Sequence, residues 1–203
     1  MKIPQFKVAA EQIVYTQKIV QHSLENHSAS NIWADGGKTY HYRLTGTLGE
    51  VIFADLYDLP RPKLAFGAVG GQDFGRDFVL AGGRNIDVKT SMQRTPTLKD
   101  EHGVLIKKMQ INDVKNQTDI YYFLRLYAVG WDLFCMAFGT LLASDVKAGR
   151  VGKLKLNGEI TQRGNGAVWV NDNDCFDIKI SELTAIKPNK KMESLGDYKL
   201  LTL

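Results

Sequence analysis

The chain has 203 residues, 44% of them apolar and 24% charged, which excludes disordered, fibrous and collagen-like classes and fits an ordinary globular protein. Lysine and arginine outnumber aspartate and glutamate by 26 to 22, for a net charge of +4 and a pI near 8.9. That balance permits an acidic polymer as partner without demanding one.

The opening MKIPQFKVAAEQIVYTQ lacks the apolar run of a secretory signal, and no later run approaches the ~20 apolar residues of a membrane span. A cytoplasmic protein with no membrane partner is expected. Cys135 and Cys175 are too few for a disulfide framework and have no ligand at zinc spacing, so both read as buried, reduced thiols. A chain of this length buries roughly 70% of its unfolded surface, enough for a core without staples. One domain over 1–203 is expected, with helices and the core sheet in 1–140 and a β-rich extension in 141–203.

Apolar residues Val8, Ile13, Val14, Ile19, Val20 and Leu24 recur near helical spacing and predict a first helix from Val8 to about His27. Residues 28–42, rich in Ser, Asn, Asp and Gly, predict a loop. Leu44, Leu48, Val51, Ile52, Asp55 and Leu56 predict a second helix from Thr45 or Thr47, ending before Pro60 and Pro62, with Glu50 in its middle. RDFVLA and RNIDVKTS flank Gly82 and Gly83, the signature of two antiparallel strands joined by a tight turn. GVLIKKMQI, DIYYFLRLYAVG and WDLFCMAFGTLL follow as aromatic and β-branched strands.

Residues 144–166 hold five basic residues and two acidic ones in a Gly-rich setting, which predicts a mobile, positively charged arm. AVWV and CFDIKI predict a last hairpin, SELTAI a Ser-capped helical turn, and the last dozen residues a loosely held tail. The three tryptophans, Trp33, Trp131 and Trp169, are most economically core residues, although Trp169 beside the basic segment could stack on a base.

Alternation along RNIDVKTS puts Asp87 and Lys89 on one face of a strand and Ile86 and Val88 on the other. An acid and a lysine two residues apart, about 6 to 7 Å along the strand, can reach one phosphate from the same side. A lone pair of this kind is more often a solvated strand. Asp77, however, opens the preceding strand, so the hairpin brings a second carboxylate toward Asp87. Two aspartates, a backbone carbonyl and a substrate phosphate are enough oxygen for magnesium, and Glu50 could add a third carboxylate.

The order Glu50, Asp77, Asp87, Lys89 resembles the PD-(D/E)XK nuclease superfamily: a glutamate on an early helix, an aspartate, then an acid-x-lysine strand. The surrounding GE at 49–50, DFGRDFVLAGGRNIDVKT at 73–90 and DIYYFLRLYA after it also look like that family, over residues 43–140. Arg76 stands where the name-giving proline would be, and Asp73 is a rival aspartate in the same loop. Asp77 is preferred because it opens the strand that pairs with IDVKT.

The resemblance implies an α/β, restriction-endonuclease-like fold, a central mixed β-sheet flanked by helices with an additional β-rich C-terminal part. It implies an endonuclease acting on DNA with Mg2+, for which Mn2+ can substitute, and leaving a 5′-phosphate and a 3′-hydroxyl. Asp77, Asp87, the Val88 carbonyl and Glu50 would hold the metal, and Lys89 would complete the catalytic set. A homodimer is one way to cut both strands. A catalytically silent nucleic-acid-binding module and a structural subunit with the same fold are the other readings.

Thr90, Ser91, Gln93 and Arg94 after the strand could touch the phosphate backbone, or simply form a polar loop. Lys147, Arg150, Lys153, Lys155 and Arg163 could line a duplex groove, and a solvated hairpin would have the same composition. GGKT at 36–39 lacks the upstream glycine of a phosphate-binding loop, and GAVGGQDFG at 67–75 lacks dinucleotide spacing. His22, His27, His41 and His102 are too scattered for a zinc site and read as surface or helix residues.

Overall fold

In the computed structural model the described residues are 1–26, 38–63, 77–99, 102–112, 117–162 and 168–203. In chain order they form β1 (Lys2–Lys7), α1 (Ala10–Asn26), α2 (Lys38–Leu56), β2 (Phe78–Val79), β3 (Asn85–Gln93), β4 (Gly103–Lys107), α3 (Lys108–Asn112), β5 (Ile120–Val129) and β6 (Asp132–Leu142). Then come α4 (Ala143–Lys147), β7 (Lys153–Lys155), β8 (Ile160–Gln162), β9 (Val168–Val170), β10 (Cys175–Lys179), α5 (Lys190–Glu193) and β11 (Lys199–Thr202).

The architecture is mixed α/β. A six-stranded mixed sheet runs β11-β1-β6-β5-β3-β2, a three-stranded sheet runs β4-β10-β7, and β8 pairs with β9. Within the large sheet β3 and β5 are parallel, in register Asp87↔Tyr121, Lys89↔Phe123 and Ser91↔Arg125. Even and odd residues of these strands serve different layers. Ile86, Val88, Tyr122, Leu124 and Leu126 pack with Leu48, Ile52, Phe53 and Leu56 of α2, and α1 lies against α2. Tyr121, Phe123 and Tyr127 pack on the opposite face with Ile106 of β4, Ile111 of α3, Val146 of α4 and Ile178 of β10.

The 82–83 turn forms as the sequence predicts. Gly83 has φ +76°, a conformation that side chains disfavour, and Leu80 N–H donates to Arg84 O at 2.9 Å across it. β2 pairs with β3 only through Phe78↔Ile86 and Val79↔Asn85. Beyond Ile86, therefore, β3 has a strand on its β5 side and none on the other among the described residues.

Several expectations need correction. α2 starts at Lys38, inside the expected 28–42 loop: after Gly37 no breaker interrupts KTYHYRLT, so its polarity reflects a solvated turn of helix. GVLIKKMQI turns from strand to helix at Lys108, whose N–H donates to Asp174 O at 2.9 Å, leaving Met109 exposed and Ile111 buried. The basic 144–166 region is not an arm where it is described, because Lys153–Lys155 is a strand of the second sheet. AVWV and CFDIKI do not pair with each other: β9 lies on β8, and β10 between β4 and β7.

Ser181 does not cap the turn at 180–182. Glu182 does, accepting Lys179 N–H at 2.7 Å with its carboxylate. The C-terminal dozen holds β11, paired antiparallel with β1 from Lys2↔Thr202 to Gln5↔Lys199. Trp131 is fully exposed at the β5–β6 turn rather than in the core. Cys135 and Cys175 are buried free thiols, as expected, and no described helix is long and apolar enough to cross a membrane.

Candidate active site

The open edge of β3 gathers the predicted chemistry. Asp77 is fixed there by its backbone N–H, which donates to Ile86 O at 2.8 Å, and its Oδ2 accepts the Val88 N–H at 2.7 Å. That carboxylate therefore sits against the peptide joining Asp87 to Val88. In a strand the N–H and C=O of one residue point the same way, so the Val88 carbonyl faces the same edge. Asp87 and Lys89 project toward the second-sheet face, where the Lys89 ammonium lies 5.8 Å from the Tyr121 ring centroid and pairs with Asp87 Oδ2 at 2.7 Å.

Asp87 is only 4% exposed. A buried carboxylate is costly unless it is paired, and Lys89 supplies the pairing charge. Lys89 itself is 30% exposed in its side chain, so the pair opens to solvent on the lysine side.

Glu50 enters from the opposite layer. Helix α2 touches β3 at the residue before it: a Cβ on Gly49 would overlap the Thr90 Oγ1 and lie 2.7 Å from the Thr90 Cβ. Glycine there lets the helix come close to β3. The structure brings the Asp77 carboxylate, the Val88 main chain and the Asp87–Lys89 pair to one stretch of β3, while among the described residues no three His, Cys, Asp or Glu side chains form a group able to hold a metal. Two aspartates and a carbonyl, all hard oxygen donors, do fit magnesium, which keeps several of its own waters.

The expected nucleic-acid contacts divide. Gln93 and Arg94 are exposed and Ser91 half-buried, whereas the Thr90 hydroxyl is buried against Gly49 and is not offered to a ligand. Lys147 and Lys153 are exposed. Arg150 is paired with Asp145 and Lys155 with Asp177 at 3.0 Å, so both are already engaged in ion pairs. Arg163, His27, Trp33, Asp73, Arg76, the 67–75 glycines and the Trp169 side chain lie outside the described residues.

Sequence reasoning passed over Arg125. It lies on β5 facing the same side as Lys89, 7% exposed, with its guanidinium carbon 5.4 Å from the Phe138 ring centroid. A charged residue inside the otherwise apolar IYYFLRLYAV was the available signal.

Compared with known proteins, the chain matches no family model, no curated protein and no solved structure.

Proposed function

We propose that this protein is a metal-dependent nuclease that hydrolyses phosphodiester bonds of DNA with Asp77, Asp87 and Lys89 at its centre. One observation carries the reading: the Asp77 carboxylate, the Val88 main chain and the Asp87–Lys89 pair meet on β3 where, among the described residues, its outer edge has no strand partner. A solvated strand with alternating charges would leave its acid exposed rather than bury it beside a lysine.

In this reading Asp77, Asp87 and the Val88 carbonyl hold the ion, and Glu50 is a third carboxylate supplied from α2. When bound, magnesium, or manganese in its place, acidifies a water molecule and neutralises phosphate oxygens. Lys89 orients the attacking water and offsets the charge growing on the phosphoryl oxygens. The new oxygen–phosphorus bond forms in line with the one that breaks, leaving a 5′-phosphate and a 3′-hydroxyl.

The test is incubation with plasmid and with single strands in magnesium or manganese, repeated with Lys89→Ala and Asp87→Ala. Loss of about 10²–10³ in rate is expected for Lys89→Ala, the usual cost of removing one group that stabilises transition-state charge. Equal cleavage by wild type and variants would remove the nuclease reading. Metal-independent binding with no cleavage would replace it with a silent DNA-binding module.

A further inference from the structure

Arg125 carries a charge that no described carboxylate balances, with the Phe138 ring 5.4 Å from its guanidinium carbon. Its guanidinium offers five donors, yet among the described residues it makes one hydrogen bond, from Nη1 to the Thr97 carbonyl at 3.1 Å, and its buried Nε has no partner among them. No described carboxylate forms an ion pair with it, and burial alone pulls its pKa down. An arginine stays charged in proteins, so an uncompensated buried one is a standing cost to stability. Such a cost needs a reason beyond packing.

Register supplies the place. Arg125 stands opposite Ser91, two residues along from the Lys89↔Phe123 position, which is about 7 Å down the sheet. Beyond it on the same face is Tyr127, whose ring stacks on Phe134 at 5.6 Å and 17°. These two rings, with Pro96, Thr97, Leu98 and Lys199, line a cavity of about 490 Å³. That size suits a small molecule, and aromatic walls stack on bases of any sequence. The Thr97 carbonyl that caps Arg125 belongs to a residue of the cavity wall, so an anion entering there replaces a neutral acceptor with a charged one, about twice as strong.

We propose that Arg125, with Ser91 beside it, holds the substrate phosphate next to the one cleaved, and that the adjoining cavity receives its nucleotide. This assignment deepens the nuclease reading and rests on it.

The experiment titrates the full chain, without metal, with thymidine 5′-monophosphate, thymidine and inorganic phosphate, following heat of binding and thermal unfolding. The nucleotide is expected to bind more tightly than either fragment. Arg125→Met should weaken it about tenfold or more, since hydrogen bonds to charged groups are the strong ones, and Arg125→Lys should fall between. Free Arg125→Met should unfold at the wild-type temperature or above it, because an apolar chain replaces an unbalanced charge.

A purely structural arginine gives the reverse, and lower stability of Arg125→Met with unchanged nucleotide binding would overturn the proposal. Equal binding of inorganic phosphate and nucleotide would overturn the cavity's role. Lys89-dependent cleavage without nucleotide binding would overturn this subsite alone. Arg125-dependent nucleotide binding without any cleavage would keep the subsite and overturn the nuclease reading.

Discussion

The two faces of β3 and β5 are built from interleaved residues of the same strands and serve different ends. On the helix side Ile86, Val88, Tyr122, Leu124 and Leu126 meet an apolar surface of α2 centred on Phe53, whose ring lies 4.7 to 5.0 Å from Tyr57, Tyr122 and Phe78. On the other side Asp87, Lys89, Ser91 and Arg125 interrupt Tyr121, Phe123 and Tyr127. Strands buried on both faces normally read as continuous apolar runs. The departure is confined to one face, and there the fold accepts buried charge that the helix face avoids. Both faces carry an apolar core, and buried charge interrupts it on one of them alone among the residues of these two strands.

The largest expected effect tests that division directly: Lys89→Ala should lower cleavage about 10²–10³-fold in protein that still folds, with a lower unfolding temperature because the buried Asp87 carboxylate loses its partner. Phe53→Ala should act on stability alone. It should destabilise by about 3–5 kcal/mol, the usual cost of emptying a buried aromatic site, measured by urea denaturation. The folded variant should cleave far better than Lys89→Ala does. If Phe53→Ala abolished cleavage while still folded, the two faces would not be separable, and the Phe53–Phe78 contact beside Asp77 would be the route between them.

Gly49→Ala probes the seam where the faces meet. Alanine favours a helix over glycine by about 1 kcal/mol, yet here its Cβ would drive into the Thr90 side chain. The net expectation is a loss of about 1–3 kcal/mol from overpacking. Adding Thr90→Ala should recover part of that loss, since contacting sites couple. Strict additivity of the two changes in a denaturation cycle would show that α2 does not rest on β3 at this point.

The legible parts of the chain were those whose signals are local. Gly82–Gly83 with alternation on both sides specified the β2–β3 hairpin and the Asp87/Lys89 face, and the runs of β5 and β6 were apolar enough to be read directly. β1 and β11 were missed because KIPQFK holds a proline and KLLT only two apolar residues; their pairing joins segments at opposite ends of the sequence. The start of α2 was hidden by tyrosines and histidine that cover a solvated turn. At the site, the side of β3 taken by each residue followed from period two. The burial of the Thr90 hydroxyl against Gly49 did not, because the fit of a helix against a strand is set by tertiary packing.

The smallest effect concerns how the second sheet is held over the polar face. Asp174 joins three segments: its carboxylate accepts the Asn157 N–H at 2.9 Å and pairs with Lys108 at 3.1 Å, and its carbonyl accepts the Lys108 N–H. The Asn157 hydrogen bond, and then Lys108, hold its pKa below the ordinary aspartate value. A depressed carboxylate stabilises the fold when ionised, so its contribution is fully present above the unfolded aspartate pKa of about 3.9 and is lost as pH falls through the lower, folded value. Asp174→Asn should therefore melt slightly below wild type at neutral pH, and the gap should close in strong acid. A gap unchanged between neutral and strongly acidic solution would mean that the amide costs packing rather than charge, and that the covering layer is held over Asp87, Lys89 and Arg125 by its apolar contacts alone.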